Sequence, residues 1–163
     1  MRGLSLVGAA VALALSLGAA VADDWHAARL HGKVLQLVDG QWEPLGRGDV
    51  VPDDRVIRTL GGGRVTFVRG NEMVELGGNT QIQIHDRNGD RPFTTVLQHF
   101  GKVEVEAEVQ EVQHFAVETP YLVAIVKGTR FTVLSGETES EVRVRRGAVA
   151  VENSADGSNA VVL

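Results

Sequence analysis

The sequence of 163 residues contains no cysteine, and aromatic side chains make up only 5% of it. Without cysteine the protein has neither disulfide bonds nor a thiol nucleophile. Exported domains often depend on disulfides, but a domain of this size can be stable on a hydrophobic core alone. The low aromatic content is accompanied by 19 glycines, a combination that is typical of many short strands joined by tight turns.

The sequence also lacks an excess of positive charge. It has 16 lysines and arginines against 21 acidic residues, a formal net charge of −5, and such a balance does not indicate a nucleic-acid partner. After residue 24 no segment shows a sustained helical period, and no second apolar run is long enough to span a bilayer. We therefore expect no nucleic-acid binding and, after removal of the leader, no stable membrane insertion.

The first 22 residues have the layout of a secretory signal peptide. Arg2 gives a positive start, residues 4–19 are almost wholly apolar, and a small-x-small motif ending at Ala22 is followed by Asp23. An uncleaved membrane anchor is the alternative, since a spanning helix needs about 20 apolar residues. The motif and the acidic residue after it favour cleavage between Ala22 and Asp23, which predicts a periplasmic or secreted protein.

Beyond the leader the dominant pattern is an alternation of apolar and polar residues, which is typical of half-buried strands. Turn motifs separate the alternating stretches, and Asn88-Gly89 is a good two-residue hairpin turn. The pattern predicts an all-β fold of stacked antiparallel strands, either a β-sandwich or a short β-solenoid. The expected buried residues include Val103, Val105, Ala107, Val109, Ile82, Ile84, Val142, Val144, Val149 and Val151.

Weak internal similarity does not decide between these two architectures. Gly-x-Val triplets at Gly32, Gly101 and Gly147 each open a predicted strand, and residues 56–59 resemble residues 116–119. The spacings of these matches disagree, so the similarity reflects either a duplication or chance.

We expect three segments along the chain. Residues 1–22 are the signal peptide, and residues 23–152 are a single β domain. After Asn153 the sequence becomes small and polar, which predicts a flexible tail over residues 153–163.

The most informative stretch is residues 119–133, which read Thr-Pro-Tyr-Leu-Val-Ala-Ile-Val-Lys-Gly-Thr-Arg-Phe-Thr-Val. Pro120 favours an extended Thr119, the apolar run after it is typical of a buried strand, and Gly128 indicates a bend or a close backbone approach. This string resembles the signature of FecR-type domains, which are bacterial periplasmic β modules. Other stretches match in the same order, so that the resemblance covers about residues 30–152.

The resemblance implies a fold and a compartment more than a biochemical role. In the family the domain often follows a membrane helix and a cytoplasmic anti-sigma domain, and it meets the signalling domain of an outer-membrane transporter. Because only a leader precedes the domain here, we expect no anti-sigma domain in this chain, and an envelope or membrane protein as its partner. We interpret six residues as a structural signature rather than as ligand contacts: Thr59, Thr119, Pro120, Gly128, Thr129 and Phe131.

Two groups of residues resemble metal sites in part. His99 and His114 lie in two Gln-His-Phe triplets and would be neighbours if their strands paired as a hairpin, but two histidines alone make a poor zinc site. Asp86, Asn88 and Asp90 match the start of a calcium loop, whose glycine and glutamate are then missing. We interpret them as polar strand positions and a solvated hairpin tip, and we expect no metal or other cofactor.

No group of residues indicates catalysis. Ser135 and Ser140 lack the glycine frame of a nucleophile elbow. Residues 61–63 are three glycines, but a strand follows them rather than the helix N-terminus that would bind phosphate. Arg47-Gly48-Asp49 spells an integrin-binding tripeptide, which we interpret as a turn. We therefore expect that the protein is not an enzyme.

An acidic edge leaves two interpretations open. Its carboxylates either attract a cation or a basic partner or face Arg143 and Arg145 across a sheet. The residues of this edge are Glu104, Glu106, Glu108 and Glu111.

Two functions fit these observations. The first is a non-enzymatic periplasmic module that takes part in envelope sensing or signalling by binding a protein partner. The second is an envelope glycan or polymer binder, for which Trp25, Trp42 and Tyr121 are the only tryptophan and tyrosine side chains. A row of exposed aromatics in a groove would support glycan binding, whereas a flat apolar edge strand would support protein docking.

Overall fold

A computed structural model describes residues 24–163, so the predicted leader and its cleavage site at Ala22 and Asp23 lie outside the described residues. The described part of the chain is all-β, as predicted, and none of it forms a helix that could cross a membrane. Its strands in chain order are β1 (His26–His31), β2 (Val34–Val38), β3 (Gln41–Pro44), β4 (Val56–Thr59), β5 (Arg64–Arg69), β6 (Glu72–Leu76), β7 (Thr80–Arg87), β8 (Phe93–Glu106), β9 (Phe115–Glu118), β10 (Leu122–Val126), β11 (Arg130–Ser135), β12 (Ser140–Arg146), β13 (Val149–Asn153) and β14 (Asn159–Val162).

The strands form one large mixed sheet with two parts, layer A and layer B, which share the long strand β8. Layer A has the order β1-β5-β6-β8-β11-β12, and layer B has the order β3-β2-β4-β7-β8-β9-β10-β13-β14. Neighbouring strands are antiparallel except β8 and β9, which run parallel. The sheet does not close into a barrel, because β3, β12 and β14 each pair with one strand only, and the second side of β1 carries just an isolated bridge between His26 and Val50.

Both layers contribute side chains to a single hydrophobic core. Phe67 and Phe131 from layer A and Ile82 and Phe115 from layer B are all 0% exposed. Burial of a side chain of this size stabilises a fold by roughly 1.5–3 kcal/mol, so the predicted alternation supplies much of the stability. Val109 is an exception, since β8 ends before it and leaves its side chain 74% exposed.

Glycine accompanies the crossings between the two layers. A residue with a Cβ atom is excluded at several of these corners: a Cβ on Gly63, for example, would lie 2.5 Å from the carbonyl oxygen of Lys33. The three Gly-x-Val triplets therefore mark corners of the fold. The glycines at or beside crossings are Gly32, Gly63, Gly77, Gly101, Gly128 and Gly147.

The two matching stretches, residues 56–59 and residues 116–119, continue differently in the fold. After Thr59 the chain crosses from layer B to β5 in layer A, whereas after Thr119 it turns back within layer B to form β10. Residues 56–59 and 116–119 thus form strands with different continuations.

The C-terminal residues differ from the expected flexible tail. Residues 159–162 form β14, which pairs with β13 over the register Val149↔Val162 to Glu152↔Asn159. A hydrogen-bonded turn closes this hairpin. The side-chain oxygen of Asn153 accepts a hydrogen bond from Ala155 N (2.8 Å), and the backbone carbonyl of Asn153 accepts one from Gly157 N (2.9 Å). Local turn chemistry, which composition alone does not reveal, orders this segment.

The predicted two-residue turn at Asn88-Gly89 is wrong in its length. Arg87 pairs with Phe93, so that residues 88–92 connect β7 to β8. Pro92 has no N–H to donate to the ladder, which explains why pairing begins only at Phe93.

We predict that Gly128→Val destabilises the domain by about 3 kcal/mol or more. A Cβ on Gly128 would lie 2.6 Å from the Cα of Val109, and the φ of Gly128 is +150°. The matched control is Gly89→Val, at φ +115° with no heavy atom within 4 Å of the added Cβ, which should cost only about 1–2 kcal/mol for its backbone conformation. Urea unfolding of both variants measures the difference, and equal losses of stability would contradict the close approach.

Candidate functional site

The hydroxyls of the signature threonines bind backbone groups. Thr59 Oγ1 accepts a hydrogen bond from Thr80 N (3.0 Å) and donates one to Gly77 O (2.5 Å). Thr119 Oγ1 accepts from Leu122 N (3.0 Å), and Thr129 Oγ1 donates to Ala148 O (2.9 Å). All three threonines are buried, as is Phe131, whereas Pro120 is exposed. A structural role for the six signature residues remains a prediction with which these contacts agree.

The hairpin that would make His99 and His114 neighbours does not form. Since β8 and β9 run parallel with Thr94 opposite Phe115, the two Gln-His-Phe triplets are not hairpin neighbours. His99 Nε2 instead lies 3.1 Å from Gln83 Oε1, and His114 Nε2 lies 3.1 Å from Glu72 Oε1.

Two of the four carboxylates of the acidic edge pair with arginines, and these arginines are not the expected ones. Glu104 accepts hydrogen bonds from Arg130 at 2.8 and 3.0 Å, and Glu106 accepts one from Arg146 at 3.1 Å. The expected partner Arg143 pairs instead with Glu141 on its own strand, at 2.6 Å. Glutamates of the edge therefore do pair with arginines on another strand, as one interpretation predicted, but the arginines are Arg130 and Arg146.

A charged network that the sequence analysis missed connects the two layers. Arg69 on β5 forms ion pairs of 2.8 Å with Glu72 on β6 and with Asp86 on β7. His114 contacts the second oxygen of Glu72, and Thr94 on β8 donates a hydrogen bond of 2.6 Å to Asp86. Asp86, the first residue of the partial match to a calcium loop, thus binds Arg69 and Thr94.

The network is mostly shielded from water. The side chains of Glu72 and His114 are 8% and 6% exposed, and the guanidinium of Arg69 lies 4.5 Å from the centre of the Trp25 ring. Burial acts against the charge of Arg69, but hydrogen bonds to Glu72 and Asp86 outweigh it and raise the pKa of Arg69 above its ordinary value. The network lines a cleft of about 270 Å³, yet its charges are engaged with one another, as in a structural network.

Other candidate residues lie in settings that do not favour catalysis. Ser140 Oγ lies 2.9 Å from Thr119 Oγ1 and 3.0 Å from Ser135 Oγ, so the two serines contact hydroxyls. Gly48 lies in a turn, where its N–H donates to Ala27 O at 2.8 Å, and Asp49 accepts a hydrogen bond from Gly46 N at 2.7 Å.

An exposed cluster of Asp53, Asp54 and His85 was also missed by sequence reasoning. His85 Nδ1 lies 3.0 Å from Asp54 Oδ1, and Asp53 accepts a hydrogen bond of 2.7 Å from Asp86 N. These groups are half-exposed to water, which weakens such contacts, so the cluster fits a solvated loop.

The aromatic side chains considered for glycan binding lie in three different settings. Trp25 is 2% exposed and belongs to the core. Trp42 is 37% exposed and lies under the guanidinium of Arg58, 4.3 Å from the ring centre. Tyr121 borders two clefts, of about 410 and 580 Å³, which lie at the turn between β9 and β10. The second of these clefts also contains Phe100, which is 39% exposed.

We predict that Glu72→Gln lowers the free energy of unfolding by about 3 kcal/mol, because it removes the carboxylate shared by a mostly buried arginine and a buried histidine. The control is Glu141→Gln, which removes an equally close but exposed partner of Arg143 and should leave the melting temperature unchanged. Thermal unfolding of both variants at neutral pH measures the difference, and a Glu72→Gln variant as stable as the parent would rule out a stabilising network.

The profile of the FecR protein family matches residues 55–150, more than half of the chain. The match begins just before β4, ends within β13 and includes all six residues of the structural signature. No curated protein and no solved structure matches the chain significantly. FecR domains are regulatory modules that typically face the periplasm and act in envelope signalling with partner proteins. The match over most of the β domain shows that this chain belongs to the FecR protein family.

Proposed function

We propose that this protein is a non-enzymatic, periplasmic FecR module that takes part in envelope sensing or signalling by binding an envelope or membrane protein. The observation that carries the proposal is an exposed edge strand without charges, β14, in a domain of the FecR family. The paired charges of the network and the hydroxyl contacts of the serines support a binding role over a catalytic one.

The four edge strands of the described sheet differ in how they are protected. Charged residues or proline on an edge strand discourage pairing with another chain. β1 carries Arg29, β3 carries Glu43 and Pro44, and β12 carries Glu141 and several arginines. β14 reads Asn-Ala-Val-Val and carries neither charge nor proline.

The chemistry of β14 defines the segment that would fit it. Its outer edge offers backbone donors and acceptors, and Val161 is 68% exposed. An extended, uncharged segment of the partner, rich in β-branched residues, would continue the sheet by backbone hydrogen bonds. Charged side chains on an edge strand discourage pairing with another chain. A charge placed on β14 should therefore abolish the binding.

We predict that Val161→Lys reduces co-purification of the envelope partner at least about tenfold, because the buried ammonium group would have no counter-charge. The control is Val112→Lys, at a residue that is 64% exposed and lies in no strand. Quantitative mass spectrometry of proteins cross-linked to each variant in intact cells measures the effect. Equal recovery with both variants, or recovery only of a second copy of this chain, would contradict the proposal.

The proposed periplasmic location depends on removal of residues 1–22. We predict that the protein recovered from cells begins at Asp23. The double substitution Ala20→Leu and Ala22→Leu should block this processing, since signal peptidases need small residues at these two positions. Intact-mass measurement of the purified protein decides the point. A mass that includes the leader would favour the membrane-anchor alternative.

A further inference from the structure

One aromatic side chain of β8 faces solvent because of an irregularity in the strand. Thr94, Val96 and Gln98 are buried in alternation, so a strict period of two would bury Phe100 next. The register with β7 instead shifts: Gln98 pairs with Ile82, but Phe100 pairs with the adjacent Gln81. His99 is therefore the extra residue of a β-bulge, and the bulge turns Phe100 outward.

Buried polar contacts hold this bulge in place. Gln98 is 1% exposed, and its side-chain amide donates hydrogen bonds to Gly101 O at 2.8 Å and Val133 O at 3.2 Å. Gly101 follows with φ +100°, and a Cβ there would lie 2.5 Å from the Cα of Thr80. A buried glutamine and a glycine that cannot be replaced thus keep Phe100 on the surface, whereas a regular strand would stabilise the fold by burying it.

A second aromatic residue, Tyr121, lines the cleft beside Phe100, and hydrogen bonds hold it in position. Tyr121 donates its phenolic hydrogen to the carbonyl of Glu137, its own N–H donates to Thr119 Oγ1 at 3.1 Å, and its carbonyl accepts from Ser154 N at 2.9 Å. The backbone that carries Phe100 and the side chain of Tyr121 are therefore held by the protein itself, which lowers the entropy cost of binding a ligand.

The charges of the cleft limit the class of ligand. Two clefts adjoin Pro120 and Tyr121, with volumes of about 580 and 410 Å³, and neither is lined by a lysine or an arginine. Glu137 contributes to one cleft and Glu139 to the other, so that phosphates, carboxylated polymers and nucleic acids would be repelled. The other polar lining groups are hydroxyls, amides and the imidazole of His99, whose Nε2 lies 3.1 Å from Gln83 Oε1.

We propose that these two clefts form a binding site for a neutral glycan chain. The flat C–H face of a sugar ring would pack on Phe100 in the larger cleft, because such a face is apolar while the rim of the ring bears hydroxyls. The exposed side chain of Asn79 offers hydrogen bonds to the rim there, and the exposed side chain of Thr138 does so in the smaller cleft. Two clefts that meet at Tyr121 fit a polymer better than a single sugar. This site is additional to the docking edge on β14 and uses different residues.

The test measures binding of the purified chain, without its leader, to an array of neutral and anionic oligosaccharides long enough to reach both clefts. We expect binding to neutral glycans, with affinities determined by calorimetry for the best one. Phe100→Ala should weaken it at least about tenfold, since the variant loses the aromatic face on which the sugar ring would pack. The control is Trp42→Ala, which removes an aromatic side chain of similar exposure outside the clefts and should leave the affinity unchanged.

Several outcomes would overturn the proposal. These are binding of anionic glycans only, no binding to any neutral glycan, or an affinity that Phe100→Ala leaves unchanged. Binding of a proline-rich peptide library is measured in the same way. If the protein binds such peptides more tightly than any neutral glycan, the clefts bind protein segments instead. Melting temperatures of both variants verify folding, and since Phe100 is already exposed, its removal should not unfold the domain.

Discussion

The fold depends on the close approach of backbones where the chain passes between its two layers. A Cβ on Gly32 would lie 2.9 Å from the carbonyl oxygen of Gly62, and one on Gly147 would lie 2.9 Å from that of Gly128. Because real side chains do not tolerate such distances, the corners can close only around glycine. The core then fills the space between layers whose separation and orientation these corners set.

The hydrophobic core and the charged network make different contributions to this arrangement. The core supplies stability through buried area, which depends little on direction. The network is directional: Arg69 and Glu72 in layer A must meet Asp86 and Thr94 in layer B at hydrogen-bond distance. Buried ion pairs often add little net stability compared with apolar side chains, so the contribution of this network lies as much in aligning the two layers as in holding them together.

The regular pattern of the sheet is broken at the places to which functions are proposed here. The bulge at His99 exposes Phe100 beside a cleft, and β14 presents an edge without charge. Both features reduce stability or raise the risk of aggregation when taken alone. Their presence in a domain whose other edges carry charges or proline is the physical reason for connecting them with binding.

The sequence by itself determined the fold class, most of the buried positions and the family, because period-two alternation and the Thr-Pro and Gly-Thr motifs are local features. Gly128 could be recognised as a site of close approach, but not its contact with Val109. Only the tertiary structure decided that Glu104 meets Arg130 rather than Arg143, that His114 meets Glu72 rather than His99, and that Phe100 faces solvent. These outcomes depend on strand order and register, which join residues far apart in the chain, and alternation within single strands carries no information about either.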